Sequence, residues 1–377
     1  MAGIYIHFPF CKSKCGYCDF FSITDSNFII SFLTYLKAEI NLQKNYLENE
    51  IIETIYFGGG TPSLLSINDI NDIIREIYNT FEVVENPEIT LEANPDDLSD
   101  IFIHNLKNFT KINRLSVGIQ SFYDDDLKLM NRRHTSNQAI ESIASAKKVG
   151  FDNISVDLIY GLPNQTLERW KENVKKVLNL DVQHISAYNL TYEKGTKFYK
   201  LLKDRKITEI DDFMSLEQFK LLKYLSEKNG FEHYEISNYT KNKLYSKHNS
   251  SYWKQRKYLG IGPSAHSYNL ISRQWNFADI KKYIKYLSEK KLPAEIEILD
   301  TNTKYNEYIM TSLRTMWGVN SDYIEHNFPS KYFNDFILNA KKYISRNIMK
   351  KINNQYVLTT EGIFISDSVI SDFFIVS

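Results

Sequence analysis

Six short apolar runs alternate with longer stretches whose apolar residues recur at helical spacing. The runs are Gly3–Phe8, Thr54–Phe57, Glu88–Ala93, Arg114–Gln120, Asn153–Tyr160 and His184–Leu190. Each is short and bounded by turn or helix signals, so each reads as a strand. Between them, Phe28–Gln43, Ile67–Phe81, Leu98–Asn108, Asn137–Val149 and Leu167–Leu178 read as amphipathic helices. Ser66 and Asp69 form an N-terminal capping pattern before the second of these. Repeated βα units predict parallel strands joined by right-handed crossovers. Six units rather than eight predict an α/β fold, an open partial (β/α)6 barrel. By analogy with full barrels, its site should lie at the C-terminal ends of the strands.

Beyond residue 200 the pattern changes. Phe213–Asn229 reads as a helix ended by Gly230, followed by YEISNY at 234–239 and a basic, aromatic stretch, KHNSSYWKQRKYLGIGPSAHSY, at 247–268. Helical runs near Tyr305–Met316 and Phe333–Met349, then strands at Ile352–Leu358 and Ile363–Ile365, predict a smaller, helix-rich, winged-helix-like module. The expected division is therefore a barrel over 1–200, an extension over 201–299 and a C-terminal module over 300–377.

Charge narrows the classes. The 46 basic residues balance 46 acidic ones, which gives no global electrostatic reason to bind nucleic acid or an anionic membrane. The C-terminal module is thus expected to be a packing domain rather than a DNA reader. No segment approaches the ~20 apolar residues of a membrane span, so no intrinsic membrane anchor is expected. MAGIYIHFPF lacks a basic n-region, which argues against a signal peptide. The 26 Tyr and 23 Phe exceed ordinary usage; beyond core packing, some could line a site for a flat apolar ligand.

The three cysteines all lie in CKSKCGYCDF, with a C-x3-C-x2-C spacing. Three thiols in eight residues make no sensible disulfide framework and fit a reducing cytoplasm. They follow a strand that Pro9 ends, so they occupy a loop at a strand's C-terminal end. Lys12 and Lys14 add positive charge that favours thiolates. Structural zinc is one reading, although zinc takes four protein ligands when structural, and His7 is the nearest fourth. An iron–sulfur cluster is the other: three protein ligands to four irons leave one iron open for a substrate or cofactor. Other polar groups gather at the same rim. GGGTP at 58–62 follows the second strand, Glu92 ends the third, Gln120 ends the fourth, Asp157 lies in the fifth and Thr191 follows the sixth. Taken singly, the glycines could form an ordinary turn, Glu92 could cap a helix, and Arg132 could be a surface charge beside Arg133. Asp157 is less easily dismissed, because a carboxylate in an apolar strand needs a partner.

The cysteine spacing, the GGGTP turn and the order of the rim residues resemble the radical SAM superfamily. More narrowly, IYIHFPFCKSKCGYCDF, LEANPDD, SVGIQSF, MNRRH and DLIYGLPNQT resemble the oxygen-independent coproporphyrinogen III oxidase family. The resemblance covers nearly the whole chain. It implies a [4Fe–4S] cluster on Cys11, Cys15 and Cys18, with S-adenosylmethionine on its open iron. It also implies contacts to that ligand from Tyr5, Gly59, Gly60, Thr61, Glu92, Gln120, Arg132, Asp157 and Thr191. Arg132 suits a carboxylate because its fork can bond it bidentately. Asp157 suits ribose hydroxyls.

Within that family two activities compete. One is radical decarboxylation of coproporphyrinogen III. The other, in a heme chaperone branch, is heme binding and transfer to an acceptor protein. Three features favour the branch. The oxidase pattern's fourth cysteine is here Phe20, the sequence starts almost at the cluster strand where the oxidase pattern has an N-terminal extension, and HNSSYW at 248–253 matches a motif of the branch. His248 is then a candidate heme ligand, with His7 and His266 as rivals, and Tyr252 and Trp253 could pack on a porphyrin face. A homodimer, and membrane association through a partner, remain open.

Overall fold

The computed structural model describes residues 1–376. Twelve strands form one sheet: β1 (Ala2–Phe8), β2 (Ile52–Gly59), β3 (Val83–Ala93), β4 (Arg114–Gln120), β5 (Ile154–Tyr160), β6 (His184–Asn189), β7 (Glu232–Glu235), β8 (Asn238–Thr240), β9 (Tyr258–Ile261), β10 (His266–Tyr268), β11 (Ser272–Asn276) and β12 (Ala294–Ile298). Their order is β12-β11-β10-β9-β1-β2-β3-β4-β5-β6-β8-β7. Strands β1 to β6 are parallel neighbours in sequence order. Strand β9 adds a seventh parallel strand on the free side of β1, pairing Gly3 with Tyr258. The remaining strands extend both edges in antiparallel fashion. The main sheet therefore runs across position 200, and strands from 201–299 lie at both of its ends.

Within the apolar runs a period of two separates the faces. Ile4, Ile6, Phe8, Ile55, Phe57, Leu91, Leu115, Val117, Val156, Leu158 and Ile185 share one buried core with Leu36, Ile73, Ile103, Ile143 and Val174 of the crossover helices. Each such side chain contributes about 1.5–3 kcal/mol on burial. The alternate positions point the other way, as a pleated strand requires. They are Gly3, Tyr5 and His7; Thr54 and Tyr56; Thr90 and Glu92; Arg114 and Ser116; Ser155 and Asp157; His184 and Ser186. The concave interior is thus lined by hydroxyls, imidazoles and charges, while the convex face is aliphatic.

The crossover helices start where the sequence says they should. Ser66 and Asp69 form a reciprocal capping box at the helix Ile67–Thr80, and Thr135 with Gln138 forms another at Ser136–Lys148. The helix Asp212–Lys228 is tied to the barrel by the Trp170 indole N–H, which donates to the Gln218 carbonyl at 2.9 Å.

Residues from Thr301 onward build a second core around Tyr305, Ile309, Phe336 and Tyr356. The order is helix Thr301–Leu313, strand β13 (Val319–Asn320), helices Ser321–Asn327 and Ser330–Ser345, then strands β14 (Met349–Ile352) and β15 (Gln355–Leu358). Helix–strand–helix–helix–strand–strand is a winged-helix arrangement. Two expectations change here. Ile352–Leu358 is not one strand: it begins in β14, turns at Asn353 and Asn354, and returns as β15. Ile363–Ile365 is not a strand: Thr359 caps a helix, Thr360–Phe364, that takes up the first two residues. No helix among the described residues is long and apolar enough to cross a membrane.

Candidate site at the cysteine rim

The cysteine loop is held in place by backbone bonds from both sides. Cys11 N–H donates to Ile23 O at 2.9 Å, and Gly60 N–H donates to Phe8 O at 2.7 Å. The glycine turn must pass this close. A Cβ on Gly60 would meet the backbone of Phe8–Phe10 within 2.9 Å, and one on Gly59, at φ +106°, would meet the His7 ring at 2.7 Å. Chain packing thus already demands these glycines.

All three thiols are partly buried. Two have polar partners: Thr61 Oγ1 donates to Cys11 Sγ at 3.4 Å, and Arg132 Nη1 donates to Cys15 Sγ at 3.3 Å. At Cys11 the Thr61 bond favours thiolate over thiol. Burial pushes the other way, raising the Cys11 thiol and lifting Cys18 to about 11. A cluster binding here must displace those protons, so its assembly is favoured by higher pH. The donor set fits a thiolate-bound cluster: three thiols on one loop, two of them facing hydrogen-bond donors and one beside a guanidinium. Among the described residues, no three His, Cys, Asp or Glu side chains are grouped as a single metal ion would need.

Arg132 is the hub of the rim. Its Nη2 donates to Asn94 Oδ1 and to Gly118 O, both at 2.6 Å, and its buried Nε has no partner. Asn94 in turn donates to Thr61 Oγ1 at 3.3 Å. Gln120 sits beside Gly118 at φ +69°, where β4 slips register against β5. A non-glycine residue held at positive φ is strained, and such strain concentrates at functional rims.

Two carboxylates lie deeper. Glu92 accepts from Tyr56 OH at 2.9 Å and from Gly59 N–H at 3.1 Å. Burial raises it to about 7, offset by the Tyr56 bond. Asp157 accepts from Ser116 Oγ at 3.4 Å and is raised by burial to about 6. Tyr5 lies in the same interior, its hydroxyl 3.1 Å from His7 Nδ1. Thr191 follows β6 at the same end of the sheet and is exposed.

Sequence reasoning gave no role to two further residues. Asn94 links Arg132 to Thr61. Asp97 accepts from Lys12 at 2.7 Å, from Ser63 at 3.1 Å and from Arg133 at 3.2 Å, which staples the cysteine loop to the turn after β3. Lys12 is therefore an anchor as well as a positive charge near the thiols. The LEANPDD segment held both residues, but their partners are up to 85 positions away.

His248 occupies a different place. The helix Lys247–Trp253 closes the N-terminal end of the barrel, opposite the cysteines. There His248 is buried, with Nδ1 2.7 Å from Thr54 Oγ1 and Nε2 2.8 Å from Tyr252 OH. Its backbone N–H donates to the buried Glu88 at 3.1 Å, and its ring stacks on Tyr56 at 5.1 Å. Neither ring nitrogen is left free for iron. Burial, with Arg114 adding to it, lowers His248 to about 3. His7 is likewise engaged, through Phe21 O at 2.9 Å, whereas His266 stacks on Trp275. Tyr252 shares the interior, and Trp253 is half-buried at its edge.

Comparison with known proteins accords with this geometry. The model of the radical SAM superfamily matches residues 5–177. The heme chaperone HemW of Lactococcus lactis is 32% identical over 98% of this chain and 96% of its own length. The heme chaperone HemW of Bacillus subtilis is 31% identical over 99% of both. Coproporphyrinogen III oxidase (HemN) from Escherichia coli, a radical SAM enzyme, superposes with a TM-score of 0.85 at 20% identity, covering 99% of this chain and 90% of that one. At that identity the likeness establishes the fold alone. With matching length, matching order of motifs and a rim built around three cysteines, the chain belongs to the HemW family within the radical SAM superfamily.

Proposed function

We propose that this chain binds heme and passes it to an acceptor protein, in the cytoplasm, while holding a [4Fe–4S] cluster and S-adenosylmethionine at the cysteine rim. Superfamily membership implies the cluster and the nucleoside cofactor; the relatives named as heme chaperones support the rest. The observation that carries the reading is identity of 31–32% to those relatives over 96–99% of each chain, the C-terminal module included. Phe20 supports it, standing 70% exposed on the cysteine loop where the oxidase pattern has a fourth cysteine.

On this reading Cys11, Cys15 and Cys18 hold the cluster, and Arg132 with Thr61 stabilises their charge. When bound, the cluster and S-adenosylmethionine together supply reductive radical chemistry. The chain's own part is orientation. Arg132 Nε offers a free donor to a carboxylate, Glu92 accepts from polar hydrogens, and Asp157 accepts from hydroxyls. Tyr5 and Gln120 flank the same space, and Gly59, Gly60 and Thr61 shape its floor.

Anaerobic reconstitution with iron and sulfide, followed by two parallel measurements, tests the proposal. Heme titration should give a shifted Soret band at stoichiometric ratio. Coproporphyrinogen III with S-adenosylmethionine and a reductant should yield no protoporphyrinogen. Robust decarboxylation, or no heme binding, overturns it. Stoichiometric zinc without iron would replace the cluster with a structural metal.

A further inference from the structure

The two ends of the main sheet are finished differently. At one end β7 is covered by the C-terminal module. Ile236 N–H donates to Arg314 O at 3.1 Å, Met316 N–H donates to Tyr234 O at 3.0 Å, and Glu235 bridges to Thr315. At the other end β12 pairs with β11 alone, and no strand among the described residues takes its outer edge. The bonds from Leu299 N–H to Ile271 O and from Phe277 N–H to Pro293 O fix which backbone groups face β11. By alternation, the N–H and C=O groups of Ala294, Ile296 and Ile298 point outward. Native sheets guard such an edge with charges, above all lysine, with proline or with a bulge. The edge strand β14 carries Lys350 and Lys351. In β12, AEIEI, there is neither proline nor bulge, and the two charges are both acidic and both on one face.

The two faces of β12 differ. Ile296 and Ile298 are 61% and 72% exposed, on the same face as Gln274 and Asn276 of β11, which are 2% exposed. The layer that buries this face therefore stops one strand short of the edge. Glu295 and Glu297 stand exposed on the opposite face. A second copy of this chain is a poor occupant. Antiparallel pairing of β12 with itself sets isoleucine against isoleucine only in registers that also set glutamate against glutamate. Like charges directly opposite destabilise a sheet. Complementarity calls instead for basic residues on the glutamate face and apolar residues on the isoleucine face. We propose that β12 takes, as an added strand, an extended segment of a different protein in which lysine or arginine alternates with apolar residues. Main-chain bonds to Ala294, Ile296 and Ile298 supply affinity there, and the alternating side chains set specificity.

The test uses the full-length protein and a fluorescein-labelled octapeptide of alternating valine and lysine, read by fluorescence anisotropy. Saturable, salt-sensitive binding is expected. An octapeptide of alternating valine and glutamate should bind about tenfold more weakly or worse. The lysine peptide with every second amide N-methylated should lose as much, because the main-chain bonds are blocked. Ile296→Pro removes an outward N–H without costing a bond to β11, so the circular dichroism spectrum should not change while affinity falls about tenfold. Glu295→Lys combined with Glu297→Gln should weaken the lysine peptide to a similar extent and leave the backbone edge intact. No saturation by about 1 mM peptide overturns the proposal. So does unchanged affinity in either variant, or equal binding of the glutamate peptide. A concentration-dependent dimer of the wild type that Ile296→Pro dissolves, followed by sedimentation, also overturns it, since a second copy would then hold the edge.

Discussion

The two ends of the barrel carry the two motifs that stand out in the sequence, and they are built in opposite ways. At the C-terminal ends of the strands, Cys11, Cys15 and Cys18 lie partly open, facing the Thr61 hydroxyl and a guanidinium with a spare donor. At the N-terminal ends, His248 is enclosed, and each of its polar atoms is paired. The first arrangement is prepared for a ligand. The second is a stopper that holds β1, β2 and β3 to the helix Lys247–Trp253. A chemically rich residue type is therefore weak evidence of ligation until its bonds are accounted for.

That contrast can be broken by experiment. The largest effect should come from Cys11→Ala, Cys15→Ala or Cys18→Ala. Each is expected to reduce reconstituted iron to near zero while leaving the circular dichroism spectrum unchanged. His248→Ala should do the reverse. It removes a buried ring and strands the Thr54 and Tyr252 hydroxyls, at a cost of about 2–4 kcal/mol in urea denaturation, with iron content preserved. Loss of iron without loss of stability in that variant would erase the distinction between the ends.

The ends should also answer to pH with opposite sign. Glu92 is raised by burial to about 7, so the folded state holds a proton that the unfolded chain gives up near its ordinary value. Its stabilising contribution is present below about 4.5 and is lost as pH rises through about 7. His248 is lowered by burial to about 3. Its contribution is present above about 6.5 and is lost as pH falls toward 3. Glu92→Gln should therefore gain stability relative to the wild type as pH rises from 5 to 7, by up to about 1.4 kcal/mol per unit. His248→Gln should flatten the acid limb instead. Parallel urea midpoints between pH 4 and 8 measure both, and slopes of the same sign would contradict the burial argument.

Smaller effects sharpen the rim itself. Asp97→Asn loosens the ties to Lys12 and Arg133, and should speed cluster loss in air severalfold with little change in global stability. Phe20→Ala should change stability by less than about 0.5 kcal/mol, because the ring is exposed.

Much of the barrel was legible because its signals are local. The strand runs place β1 to β6 within a few residues except the start of β3, and Ser66 with Asp69 announced a capping box that the structure contains. What escaped depends on distance along the chain. Strands β7 to β12 have three to five residues each, too few for a periodic signal, and β9 is defined by pairing with β1 some 250 positions earlier. Interior positions were read as parts of apolar runs because Tyr and His count as neither plainly polar nor plainly apolar. Asn94 and Asp97 escaped for the same reason as β9: nothing nearby in sequence announces Thr61, Arg132 or Lys12. His248 shows the converse, since the motif located the residue but not the direction its ring would face.

The late pairing of β9 has a consequence for how the chain is made. Strand β1 can pair with β2 once residue 59 has left the ribosome, but its other edge waits for Tyr258–Ile261. At about 5–20 residues per second, those roughly 200 residues take about 10–40 s to synthesise. Throughout that interval the cysteine loop exists on a half-built sheet whose N-terminal end has no stopper. Once Arg132 has emerged, delivery of iron and sulfide during synthesis would thus meet cysteines whose side-chain partners are all present, in a barrel not yet closed behind it.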